Sequence, residues 1–202
     1  MKFEYDKDEV VLVGEFEDDF TFSHEFKGIS YFVAHMRIPR KNGVVDSLPI
    51  IKRFIDGDNH EVAGKRYRIE GQFRTFSARL MPDNLPGFFI TVYKMEETVE
   101  SDFNKAEIIG TAMREPRFSK TGASALIPLK VTSGDGNGKY WRIQALLWRD
   151  CHKKLADSIK EGDVIRVVGR IQSRQYHKQI QPGYDDTYTV YDVVADEMEV
   201  EE

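Results

Sequence analysis

Two series of side chains in the C-terminal half combine residue types and spacing that could act on a ligand. Tyr140, Arg142, Gln144, Leu146 and Trp148 recur at every second position, with Lys139 just ahead of them. Arg170, Gln172, Arg174 and Tyr176 do the same, and Lys178 extends that series by one step. In an extended strand alternate side chains share one face, so each series would set rings and cations side by side. Flat rings stack on bases, and guanidinium or ammonium groups attract phosphates. A single-stranded nucleic acid exposes both at once, and stacking contributes about 1–3 kcal/mol per base. The intervening Ile143, Ala145 and Leu147 are apolar and form the inward face. Trp141 shares their parity unless a bulge shifts the register, and Trp148 has core packing as its alternative role.

These strands recur. Residues 9–14 form an apolar run ending in Gly14, and residues 105–110 form another ending in Gly110, 96 positions later. Residues 31–38 correspond to 125–131, and Gly64–Gly71 to Gly162–Gly169 at an offset of 98. Residues 88–93 are matched to 187–191. Four strands repeated in the same order imply two copies of one unit. The expected division is residues 1–97, residues 103–195 and a short acidic tail over 196–202, with the boundary in the acidic stretch 96–102. Asn42-Gly43 and the turn-rich 133–138 each close a hairpin. A helix is expected from about Asp150 to Ile159, with Leu155, Ala156 and Ile159 as its apolar stripe and Gly162 beyond its end. The interval 56–64 has two glycines and no stripe, so a helix there is short or absent. Five short strands with a helix between the third and fourth is the order of an OB barrel, so the expected fold is all-β with two tandem five-stranded OB barrels. A β-sandwich with the same strand count satisfies the pattern equally.

On this alignment the first unit contributes Arg37, Arg40, Lys41, Lys52, Arg53, Arg74 and Phe76. Ala78 falls where Tyr176 stands in the second, removing a ring. The first unit is therefore expected to bind more weakly, or to serve in assembly. Net charge is −5, which by itself argues against a polyanionic ligand. Its distribution matters more. The first 100 residues carry 14 Lys and Arg against 18 Asp and Glu; the remainder carry 15 against 16, and five of those acids are Asp196, Glu197, Glu199, Glu201 and Glu202. If that end is a solvated tail, the rest of the second unit is basic.

Catalytic patterns fail. The segment Gly134–Lys139 lacks the first Gly of a phosphate loop, and Tyr140 follows its Lys, so a hairpin is the better reading. The five histidines and the lone Cys151 show no metal-ligand spacing. No nucleophile elbow occurs, and no cofactor or enzymatic activity is expected. No apolar run approaches the roughly 18–20 residues of a membrane span. The acidic start and single cysteine fit a cytoplasmic protein.

The second unit resembles the bacterial single-stranded DNA-binding protein (SSB) family. The resemblance rests on Asn104–Pro116 as the opening strand with its Arg-acid-Pro turn, Tyr140–Trp148 as the third strand, and Lys160–Tyr176 as the following strand and hairpin. Gly71–Phe76 is similar to that hairpin in the first unit. The resemblance implies non-sequence-specific single-stranded DNA as ligand, with Arg174 and Tyr176 among the contacts, and roles in replication, recombination or repair. It implies a homodimer of double-unit chains, giving four OB modules, and replication proteins as partners. The family's acidic tip ending in Pro-Phe is absent from residues 196–202. A PriB-like replication-restart protein acting through protein contacts is the alternative, and an RNA-binding OB protein a third.

Overall fold

The computed structural model describes residues 7–55, 57–75, 87–132, 139–148, 155–181 and 184–201, with backbone alone for 176–181 and 184–188. The strands are β1 (Lys7–Phe16), β2 (Thr21–Phe26), β3 (Ile29–Pro39), β4 (Val45–Arg53), β5 (Arg66–Thr75), β6 (Phe88–Glu97), β7 (Phe103–Ala112), β8 (Arg117–Phe118), β9 (Ser124–Thr132), β10 (Tyr140–Trp148), β11 (Val164–Gln181) and β12 (Tyr184–Val200). One helical turn, α1, spans residues 155–158. Ala156 and Ile159 are buried and Leu155 packs against the core, so the expected stripe faces inward. Residues 149–154, the first part of that expected helix, lie outside the described residues.

In the first half, β1 pairs with β5, β5 with β6, β6 with β4, β4 with β3, and β3 with β1. The circuit returns to its starting strand. In the second half β7, β11, β12, β10 and β9 close the same circuit. Closed circuits, rather than two open sheets facing each other, set aside the sandwich alternative. Alternation drives both. Leu12, Ile50, Ile69 and Ile90 fill one interior, and Ile108, Ile127, Ile165 and Val193 the other. Each such side chain contributes about 1.5–3 kcal/mol on burial.

The pairings also show which positions correspond. Val10 and Ala106 face Gly71 and Gly169, respectively, which supports the 96 and 98 offsets. Ile50 pairs with Ile90 as Ala145 pairs with Val193, so the final strands are offset by 103. Matching residues 88–93 to 187–191 therefore missed the register: the β11–β12 hairpin is longer than its counterpart. Gly71 and Gly169 each sit at a register shift. A Cβ on Gly169 would lie 1.9 Å from the Val194 carbonyl oxygen, so only glycine permits this approach.

Residues 196–200, expected as part of a solvated tail, continue β12. Val168, Val167, Arg166 and Ile165 pair with Glu197, Met198, Glu199 and Val200. Met198 is buried while Asp196, Glu197 and Glu199 stay exposed, which is a strand's alternation. The acids thus lie on the sheet beside the cations.

The halves meet along β1 and β7, paired antiparallel from Lys7↔Ile109 to Val13↔Phe103. Val10 pairs with Ala106, its own counterpart, as a local two-fold relation requires. Phe88 and Tyr191, another corresponding pair, stack on each other at 4.5 Å. Asp46, only 1% exposed, accepts hydrogen bonds from the Ser173 amide and hydroxyl at 2.6 and 2.8 Å. Thr75 corresponds to Ser173, and its hydroxyl accepts from the Arg142 amide at 3.3 Å.

Candidate nucleic-acid interface

β10 carries the first series of rings and cations. Ile143, Ala145 and Leu147 are buried in the interior. Their neighbours point out: Tyr140 is 51% and Trp148 47% exposed, and Arg142 and Lys139 are exposed. Leu146 is the exception on this face, covered beside Val194 of β12, with which it pairs. Lys130 Nζ sits 5.2 Å above the Tyr140 ring, leaving a cation beside an open aromatic. Neither Arg142 nor Lys139 makes an ion pair among the described residues.

β11 extends the face. Ile171 is buried, while Arg170 and Gln172 point the other way. Gln172 pairs with Asp192 and Arg170 with Val194, so these side chains share a surface with β12. That surface also carries carboxylates. Arg170 reaches Asp196 at 3.3 Å, and Arg174 Nε donates to Asp192 at 2.6 Å. Asp192 is 2% exposed, and burial pushes its carboxyl up despite the Arg174 guanidinium beside it. Arg174 therefore holds a buried acid as well as facing outward. The backbone of Tyr176 pairs with Tyr188; the side chains of Tyr176 and Lys178 lie outside the described residues.

The first-half candidates divide. Lys41 is exposed in the β3–β4 turn, and Arg37 is exposed 3.9 Å from Glu15. Lys52 contacts Asp58 at 3.2 Å and lies over the Phe54 ring; Arg53 is exposed. Phe76 lies outside the described residues. Arg40 and Arg74 are placed differently from the expected outward contacts. Arg40, with its side chain 14% exposed, bridges Asp46 and the Ser173 carbonyl. Arg74 donates to Asp8 at 2.7 Å and lies 4.5 Å over the Trp141 ring. Both guanidiniums pin the halves or their strands together. Trp141 is partly buried beneath Arg74, so its inward parity leads to the junction rather than to a barrel interior. No signal within either unit could reveal the contacts of Arg40 with Ser173 and of Arg74 with Trp141, because each joins residues of different halves.

A cleft of about 740 Å³ opens where the β10–β11 face meets the β3–β4 hairpin, bordered by Trp148, Arg170, Gln172, Lys41 and Phe103. Phe103 is a ring that alternation did not single out, since it stands alone at the start of β7. Among the described residues no cluster of His, Cys, Asp and Glu could hold a metal ion.

An OB-fold nucleic acid binding domain matches residues 130–200, the stretch holding β10, β11 and β12. The single-stranded DNA-binding protein of Neisseria meningitidis serogroup A is 32% identical over 108 residues, covering 48% of this chain and 59% of that protein. Over about half its length this chain is similar in sequence to bacterial single-stranded DNA-binding proteins. The SSB of Oceanobacillus iheyensis is 29% identical over 105 residues, or 62% of its length. The SSB-like chain thus spans about three fifths of the curated relatives it matches. In three dimensions it is similar to the wild-type single-stranded DNA binding protein from Thermus aquaticus, with a TM-score of 0.70 and 14% identity over 98% of this chain and 94% of that one. At that identity the likeness speaks for the fold alone.

Proposed function

We propose that the protein binds single-stranded DNA without sequence preference, as a coat on exposed strands during replication, recombination or repair. The supporting observation is the outward face of β10, where Tyr140, Arg142 and Trp148 stand exposed beside Lys139 and Arg170. Rings take the bases and cations the phosphates. The reading is one of binding rather than catalysis. The two strand circuits support two tandem OB modules, residues 1–97 and 103–195, with α1 between the third and fourth strands of the second. The resemblance to SSBs supports a homodimer with four modules, replication proteins as partners and a cytoplasmic setting.

Fluorescence anisotropy with a labelled oligo-dT of about 35 nucleotides at low salt tests the reading; absence of binding overturns it. Competition between matched single-stranded DNA and RNA separates DNA from RNA preference. Light scattering reads the dimer as twice 23.4 kDa.

A further inference from the structure

We propose that the cleft at the junction of the two halves takes a nucleotide of the bound strand, with Phe103 as its stacking ring and Lys41 as its phosphate contact. The inference rests on the single-stranded DNA reading and adds a composite position that neither half could form alone.

Phe103 begins β7 and is 44% exposed. It stands outside the buried apolar cluster, so core packing does not account for the ring. It lines the same cleft as Trp148, which arrives from the end of β10. The volume of about 740 Å³ falls within the roughly 300–1,000 Å³ of small-molecule sites. Lys41 reaches the cleft from the first half, while Trp148, Arg170 and Gln172 belong to the second.

The charge pattern selects the occupant. Asp46, Asp102 and Asp196 line the cleft, but each is matched by an arginine: Arg40 at 2.5 Å, Arg66 at 2.7 Å and Arg170 at 3.3 Å. Lys41 is exposed and makes no ion pair among the described residues. The cleft lining itself balances at three cations and three carboxylates, but Arg66 neutralises Asp102 from outside it, which leaves Lys41 as the cation free to meet a phosphate. The Gln172 amide has no hydrogen-bond partner among the described residues, so it offers a donor and an acceptor to a base edge or sugar. A strand lying across Tyr140 and Trp148 that continues along the face enters this cleft and meets the first half there. The first half thus contributes through its β3–β4 hairpin although its own stacking series is thin.

Binding of dT35 to the full chain, measured by anisotropy across a salt series, tests this. Phe103→Leu keeps apolar volume without the ring and should weaken binding by about 5- to 150-fold, the effect of one lost stack, with the salt slope unchanged. Phe103→Tyr should restore wild-type affinity. Lys41→Ala should lower the slope by about 0.7, the single-strand value for one phosphate. Circular dichroism and melting establish that each variant is folded. Wild-type affinity in Phe103→Leu, or equal losses in Phe103→Leu and Phe103→Tyr, overturns the inference. If those variants bind normally while Tyr140→Ala and Arg142→Ala weaken binding, only the cleft assignment falls. If the wild-type chain does not bind dT35, the underlying reading falls with it.

Discussion

Tyr140 and Trp148 lie at opposite ends of one strand and keep about half of each side chain in solvent. Large rings held this way gain little from packing, so their removal should leave stability nearly unchanged. Tyr140→Ala and Trp148→Ala are each expected to weaken oligo-dT binding by about 5- to 150-fold while melting within a few degrees of wild type. Equal affinities would move the groove elsewhere. The cations separate by their partners. Arg142 makes no ion pair among the described residues, so Arg142→Ala should lower the salt slope by about 0.7. Arg174 is bonded to a nearly fully buried acid, so Arg174→Ala strands that acid without its partner. It should reduce the melting temperature more than Arg142→Ala does. If the two variants are equally stable, the Asp192 contact is not structural.

At the scale of elements, the strands were readable because period-two alternation and paired glycines survive in both halves. Gly71 and Gly169 mark equivalent bends and were found as the ends of matching runs. Their reason is steric: Gly169→Ala would press a methyl group into the Val194 carbonyl. It should cost at least about 1–3 kcal/mol in chemical denaturation; a neutral effect would contradict the tight bend. What escaped the sequence was register and pairing over distance. A matching of Thr and aromatic residues placed the last strand five positions short, because hairpin length is set by the partner strand and leaves no local mark. The acidic end of the chain was read by charge, although Met198 and Val200 among the acids carried the alternation. Arg40 and Arg74 looked like surface cations because Asp46 and Asp8 gave no hint of burial, and Phe103 had no neighbours in a series.

Across the whole molecule, buried acids at the junctions couple stability to pH. Asp8 accepts hydrogen bonds from the Phe73 amide and Arg74, both at 2.7 Å. Burial still pushes it up to about 6, the loss of solvent outweighing both contacts. Burial also shifts Arg74 downward, so the pair reads consistently as a charge-averse site. A carboxyl raised in the folded state favours folding below its unfolded value near 4, and that contribution is lost as pH rises through about 6. Wild type should therefore gain stability relative to Asp8→Asn as pH falls from 7 to 4. Parallel melting curves over that range would refute the shift.

The pairing of β1 with β7 carries one more consequence. Separating the chain near residue 100 would leave each piece with a bare row of amides and carbonyls along one margin, a template for any matching strand. Because Val10 already lies opposite its own counterpart Ala106, the C-terminal piece expressed alone should recruit a second copy of itself along β7. Sedimentation of that piece should then show twice its formula mass, and a stable monomer would show that the seam needs two different edges.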